Sequence, residues 1–118
     1  MNETQLQYNL DVLEEIRNLK EGWFDGRIGQ NNSTSKEKQA FSDSLLKKVK
    51  GIILKLKIQP EIFPTGRNSI QIEFKIKENY IDFEIFENGK IVKYFLNSDK
   101  KYTRNVTEKN ILKINNIN

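Results

Sequence analysis

The sequence predicts an α+β domain in which two N-terminal helices pack on one face of a four-stranded antiparallel sheet of β-hairpins, with a short C-terminal helix or tail. Three observations carry this. Apolar residues recur at three- and four-residue spacing in the first half of the chain, which is the spacing of a helix face. From Ser69 to Leu96 they alternate at period two, as in strands with one buried face. That run is broken at Glu78-Asn79 and at Asn88-Gly89, two hairpin turn signals.

The chain has 118 residues, an ordinary length for a single domain (1–118) with one core. The first helix falls within 1–21, with Leu6, Leu10, Leu13, Ile16 and Leu19 on one side and Gly22 able to end it. A Gly/Trp loop follows over 22–35. Its single tryptophan, Trp23, is either a plug closing the helix ends against the sheet or a recognition residue, and Asp25 before Gly26 is a turn former. The second helix spans 36–58, opened by a Thr34/Glu37 capping box and striped by Phe41, Leu45, Val49, Ile52 and Leu56. Gly51 inside it implies close packing there, since a helical glycine costs about 1 kcal/mol relative to alanine. Pro60 marks the latest end.

The sheet occupies 61–96, beginning with Glu61–Pro64 as an edge strand because Pro64 has no N–H to donate. A two-residue turn at Glu78-Asn79 pairs Ile76 with Ile81, Phe74 with Phe83 and Ile72 with Ile85. A type I′ turn at Asn88-Gly89 pairs Ile85 with Val92 and Phe83 with Tyr94. The predicted core face is then Ile72, Phe74, Ile76, Ile81, Phe83, Ile85, Val92, Tyr94 and Leu96. The opposite face stacks Glu73, Glu84 and Lys93 in one row and sets Lys75 beside Asp82. Facing like charges destabilise a sheet. Glu73 beside Glu84 is therefore either a carboxylate pair for metal or acid–base chemistry, or a pair neutralised by Lys93 and Lys75. The same face collects Phe86, Ile91 and Phe95, a cluster that implies either a covering segment or a contact surface. The basic tail, 97–118, is read as frayed or as a short helix capped at Thr107.

Absence narrows the chemistry. With no cysteine and no histidine there is no disulfide, thiolate nucleophile, cysteine-based metal site or imidazole base. No catalytic, cofactor or metal-ligating motif is recognisable, and the glycines around Gly26 and Gly66 lack phosphate-loop spacing. No apolar run reaches the roughly 20 residues that span a bilayer. The amino terminus is polar and acidic rather than a secretory signal, so a cytoplasmic protein with no membrane association is expected. The net charge of +4 comes from sixteen lysines and four arginines against sixteen acidic residues. It is unevenly spread: −3 over 1–30, +5 over 36–57, −1 over 61–96 and +3 over 97–118.

Gly22-Trp23-Phe24-Asp25-Gly26, the segment from Gln59 to Gln71 (QPEIFPTGRNSIQ) and Phe83-Glu84-Ile85-Phe86 together resemble a set of small uncharacterised bacterial and mobile-element proteins. These share a Gly-Trp-x-x-Gly loop, a Pro-x-x-x-Pro-Thr segment and a leu-glu-ile strand. In character the chain is similar to some antitoxins and anti-CRISPR inhibitors. The resemblance itself does not assign a function; the expectation drawn from the chain as a whole is a small non-catalytic protein that regulates or inhibits a bacterial partner, such as a nucleoprotein effector, by protein–protein contact. The residues expected to make that contact are Phe86, Ile91 and Phe95, with Lys75, Glu84, Lys93, Arg67 and Trp23 around them. The alternative is nucleic-acid binding through Lys47, Lys48, Lys50, Lys55 and Lys57 with Lys100, Lys101 and Arg104. Monomer and homodimer both stay open.

Overall fold

A computed structural model of the chain describes residues 3–25 and 38–117. Among these residues the order is α1 (Glu3–Arg17), a 3-10 turn (Trp23–Asp25), α2 (Asp43–Lys55), β1 (Glu61–Pro64), β2 (Ser69–Ile76), β3 (Asn79–Phe86), β4 (Ile91–Leu96), β5 (Lys101–Val106) and α3 (Glu108–Leu112). The strands form one antiparallel sheet in sequence order, a meander. All three helices lie on one side of it. The core joins Leu13 and Ile16 of α1, Leu45, Val49, Ile52 and Ile53 of α2, and Ile111 of α3 to Ile62, Ile70, Ile72, Phe74, Ile81, Phe83, Ile85 and Ile91 of the sheet. No described helix is long and apolar enough to cross a membrane.

Both leading helices are shorter than their stripes predict, for local reasons. After α1, a bridge between Lys20 and Gln39 draws the chain out of the helix, with Glu21 N–H donating to Lys38 C=O and Ala40 N–H to Leu19 C=O. The same bridge holds Gln39 out of the helix and a bend at Ala40 and Phe41 follows it, so α2 starts at Asp43, where Ser42 Oγ accepts from Leu45 N–H at 3.0 Å. Thr34 and Glu37, the predicted capping box, lie outside the described residues. At the other end of α2 the Gln59 amide donates to the Ile53 and Leu56 carbonyls. Gln59 and Pro60 are in turn held by Asn9 of α1, which donates to Gln59 Oε1 and Pro60 C=O. A fully buried asparagine falls outside any apolar stripe, yet it ties α1 to the entrance of the sheet.

The sheet corrects the predicted pairing twice. Between β2 and β3 the turn residues are Lys77-Glu78 rather than Glu78-Asn79, so Phe74 faces Ile81 and Ile72 faces Phe83. That is a two-residue shift, which preserves the buried face. Between β3 and β4 the shift is one residue. Ile85 faces Ile91, Phe83 faces Lys93 and Ile81 faces Phe95, so every β4 side chain is on the side opposite to the predicted one. The cause is a three-residue loop, Glu87-Asn88-Gly89. Gly89 N–H donates back to Phe86 C=O and Phe86 N–H to Lys90 C=O, with Gly89 at φ 92°.

The tail is structured as well. Lys101–Val106 is a fifth strand rather than a basic tail, missed because KYTRNV lacks apolar alternation. It turns back from β4 through Asn97, whose side chain accepts from Asp99 and Lys100 N–H. Thr107 then caps α3, as expected, and a 3-10 turn (Lys113–Asn116) places Ile114 in the core. Asn115 bonds Lys55 C=O and Lys57 N–H, stitching the C-terminal segment to the end of α2.

Two glycines with open space around them should respond oppositely to alanine. A Cβ at Gly51 would meet nothing within 4 Å, so the close packing expected there is absent. Gly51→Ala should raise stability by about 0.5–1 kcal/mol through helix propensity. Gly89→Ala is equally free of contacts but sits at positive φ, and should cost about 1–2 kcal/mol. Urea unfolding of both variants checks the pair; the same sign for both would refute the loop assignment.

Candidate functional site

Every described helix lies on one side, and among the described residues no element covers the other face of the sheet. The register lays Glu61, Glu73, Asp82, Tyr94 and Thr103 across it in one row, Gln71, Glu84, Val92 and Asn105 in a second, and Lys75, Tyr80, Leu96 and Lys101 in a third. Tyr80 and Leu96 are cross-strand neighbours, exposed at 48% and 47%. A shallow groove of about 570 Å³ runs over this surface to the sheet margin, lined by Arg67, Gln71, Tyr80, Asp82, Tyr94, Leu96, Lys101 and Thr103 and also by Phe95 and Tyr102, which have helix-side parity.

One carboxylate on this face is fully buried. Glu84 is 0% exposed. Its Oε2 accepts from Arg67 Nε at 3.0 Å and Ser69 Oγ at 2.5 Å, and its Oε1 accepts from the Tyr94 hydroxyl at 2.7 Å. Burial works to raise its pKa, but the hydrogen bonds from Ser69, Arg67 and Tyr94, with the charge of Arg67, outweigh it and hold the carboxyl below its ordinary range. The Thr65–Ser69 turn supplies two of these donors. Thr65 Oγ1 bonds Ser69 Oγ and accepts from Arg67 N–H, which sets the base of the arginine. The arginine side chain remains 63% exposed.

The facing carboxylates are not the predicted ones. Glu73 stands opposite Asp82, and Glu61 stands opposite Glu73 from the other side, while Glu84 faces Gln71. Glu73 is pushed up by burial and by the charges of Asp82 and Glu61. Asp82 is also pushed up, by burial, against hydrogen bonds from Gln71 and Glu73. Among the described residues, no group of three or more acidic side chains is placed to hold a metal ion.

The predicted contact cluster is dispersed. Phe86 stays on the open face, half-buried opposite Ser69, but Ile91 is in the core and Phe95 packs against it from the helix side. Lys93 also faces the helix side, opposite Arg104. Lys75 is on the open face, 5.4 Å from the Tyr80 ring centroid. Trp23 is half-buried, stacked at a tilt 6.2 Å from Phe41, beside a second cavity of about 410 Å³ with Thr65 and Gly66.

The lysines of α2 do not share one face. Lys47 and Lys50 line a cavity against α1, Lys48 reaches Gly89 C=O, Lys55 pairs with Glu108 at 3.5 Å, and Lys57 lies past the helix end. Lys101 borders the open groove, whereas Lys100 and Arg104 gather around Tyr102. Sequence reasoning passed over Tyr80, Asp82, Tyr94, Leu96 and Tyr102 as site residues. The signal that could have found them is the presence of apolar side chains on both parities of β4.

The carboxylates predict opposite pH behaviour. Glu84 has a depressed folded-state pKa, so its contribution is present above the unfolded value and lost as pH falls through the folded one. Glu84→Gln should cost about 2 kcal/mol at neutral pH, a low figure for charged hydrogen bonds because Arg67 is largely in solvent. Glu73 has a raised pKa, so its cost appears as pH rises through that value and is absent below the unfolded one. Glu73→Gln should therefore raise the urea midpoint at neutral pH and leave it unchanged at about pH 3. Equal effects at both pH values would contradict the Glu73–Asp82 conflict. No family model, curated protein or solved structure matches this chain.

Proposed function

We propose that the chain is a non-catalytic binding module that engages a protein partner through the open face of its sheet, and thereby regulates or inhibits that partner. The observation that carries this reading is a five-stranded sheet with the described helices on one side, whose other side presents an exposed Tyr80–Leu96 pair over a groove. Aromatic and aliphatic anchors surrounded by charge are the usual makeup of a binding hot spot. Here Lys101 beside Leu96, Asp82 in the next row and Arg67 over Glu84 one row further along line the groove as its charged rim. The Glu84 network fixes Arg67 and Tyr94 before a partner arrives, which lowers the ordering cost of association. The occupant that suits this surface has an apolar side chain for the Tyr80–Leu96 pair and acidic groups for Arg67 and Lys101.

The test compares wild type with a Tyr80→Ser/Leu96→Ser variant as immobilised baits for proteins of the native host. Any partner retained by wild type is then purified and its Kd measured against both forms. Loss of two central anchors should weaken binding by about tenfold or more. A partner that binds both forms equally, or no retained partner at all, overturns the assignment.

A further inference from the structure

The side of the sheet that carries the helices has its own anomaly, at the β4–β5 margin. Lys93 and Arg104 face each other directly across the ladder, an arrangement that destabilises a sheet unless something answers the charge. Among the described residues no carboxylate lies within ion-pair distance of Lys93, Lys100 or Arg104. Asp99 shares the β4–β5 turn but is not paired with them; its N–H is bound to the Asn97 side chain. The three cations converge on one ring instead. Arg104 lies 4.5 Å, Lys93 5.4 Å and Lys100 5.8 Å from the Tyr102 centroid. Phe95 stacks on that ring at 5.0 Å and 15°.

Cation–π contacts at exposed sites are worth about 0.5–1 kcal/mol each. They orient the three side chains without neutralising them. The phenol registers the resulting field. Burial works to raise its pKa, yet hydrogen bonding to Lys93 and the charges of Lys93, Arg104 and Lys100 bring it below the ordinary value. A local conflict that the fold does not resolve internally is a mark of a ligand site.

We propose that Lys93, Lys100 and Arg104, arrayed around Tyr102, form a binding site for the phosphodiester backbone of a nucleic acid. Three cations with no answering carboxylate among the described residues call for a polyanion, and a nucleic-acid strand carries a charge on the backbone of every nucleotide whatever its sequence. Arg104 can also hold two phosphate oxygens at once through its planar fork. Lys93 and Arg104 have the opposite parity on β4 and β5 to Leu96 and Lys101, although Phe95 and Tyr102 also line the Tyr80–Leu96 groove, so the site goes beyond the protein-binding reading and is tested by its own variants.

The test is fluorescence anisotropy of labelled single-stranded DNA, single-stranded RNA and duplex DNA, titrated with the full chain across a salt series. Binding at low salt is expected for at least one probe, with affinity falling steeply as salt rises. Lys93→Ala/Arg104→Ala should weaken it by about tenfold or more and, on a single strand, flatten the log–log salt slope by about 1.4. Lys47→Ala/Lys50→Ala, against α1, should leave both unchanged. Retained unfolding midpoints show that the variants are folded; if the first is not, Lys100→Gln on the exposed turn replaces it, with an expected loss of about threefold. No binding by any probe, no effect of removing these cations, an equal effect of the α1-side pair, or displacement of the probe by poly-glutamate as readily as by polyphosphate would each overturn the proposal.

Discussion

The loop Glu87-Asn88-Gly89 is the constraint from which both surfaces of the sheet follow. Its three residues, rather than two, decide the parity of β4, and β5 inherits that parity through its pairing with β4. Local chemistry and tertiary contact agree on the choice. Gly89 takes the left-handed conformation and Asn88 Oδ1 accepts from Lys90 N–H at 2.9 Å. Glu87 reaches across to the start of α2, accepting from Ser42 N–H at 2.8 Å and Ser42 Oγ at 2.6 Å. A carboxylate at a helix N-terminus is favoured by the helix dipole. The loop is thus pinned by the helix that the sheet must receive. A one-residue slip would expel Ile91 from the core at about 1.5–3 kcal/mol, and would strand Tyr94 away from Glu84.

That parity gives the two faces opposite electrostatic characters. On the open face an acidic row, Glu61–Glu73–Asp82, runs across three strands, and the one fully buried acid is already neutralised by Arg67. On the helix side three cations surround a tyrosine, and among the described residues no acid pairs with them. Glu84 shows what it takes to bury a charge in this sheet. Its desolvation is offset by three donors, two of them from the Thr65–Ser69 turn and its arginine. Lys93 and Arg104 have no such answering groups, and both reach solvent. The difference separates a carboxylate that serves the fold from cations that no described carboxylate answers.

What was legible in the sequence was what depends on local period. The helix stripes and the buried faces of β2 and β3 follow from spacing alone, and survive a two-residue register error because the error preserves parity. What was not legible depends on partners far along the chain. Ser42 could be recognised as the cap of α2 only with Lys20 and Gln39 paired and Glu87 folded back upon it. Asn9 looked like a polar interruption until Pro60 arrived 51 residues later to accept its hydrogen bond. Asn-Gly is compatible with a two-residue turn and with a three-residue loop closed by a bulge, and nothing local distinguishes them. β5 is a strand because β4 offers it an edge, not because its own residues alternate.

One inference from the sequence outlasts the register that produced it. Five of the six residues of β4 are apolar or aromatic, namely Ile91, Val92, Tyr94, Phe95 and Leu96, so they fall on both parities. Whichever way the strand is turned, the helices can cover only one set. The misassigned register left Ile91 and Phe95 outside with Phe86; the observed one leaves Val92, Tyr94 and Leu96 there. A strand apolar on both sides belongs in a sheet with both sides occupied. Val92 and Tyr94 are accounted for within the chain, Val92 by burial and Tyr94 by its bond to Glu84. Leu96, half-exposed beside Tyr80, is the remainder, the one apolar side chain of β4 on this face that the described residues neither bury nor hydrogen-bond, and so the one that the fold itself does not account for.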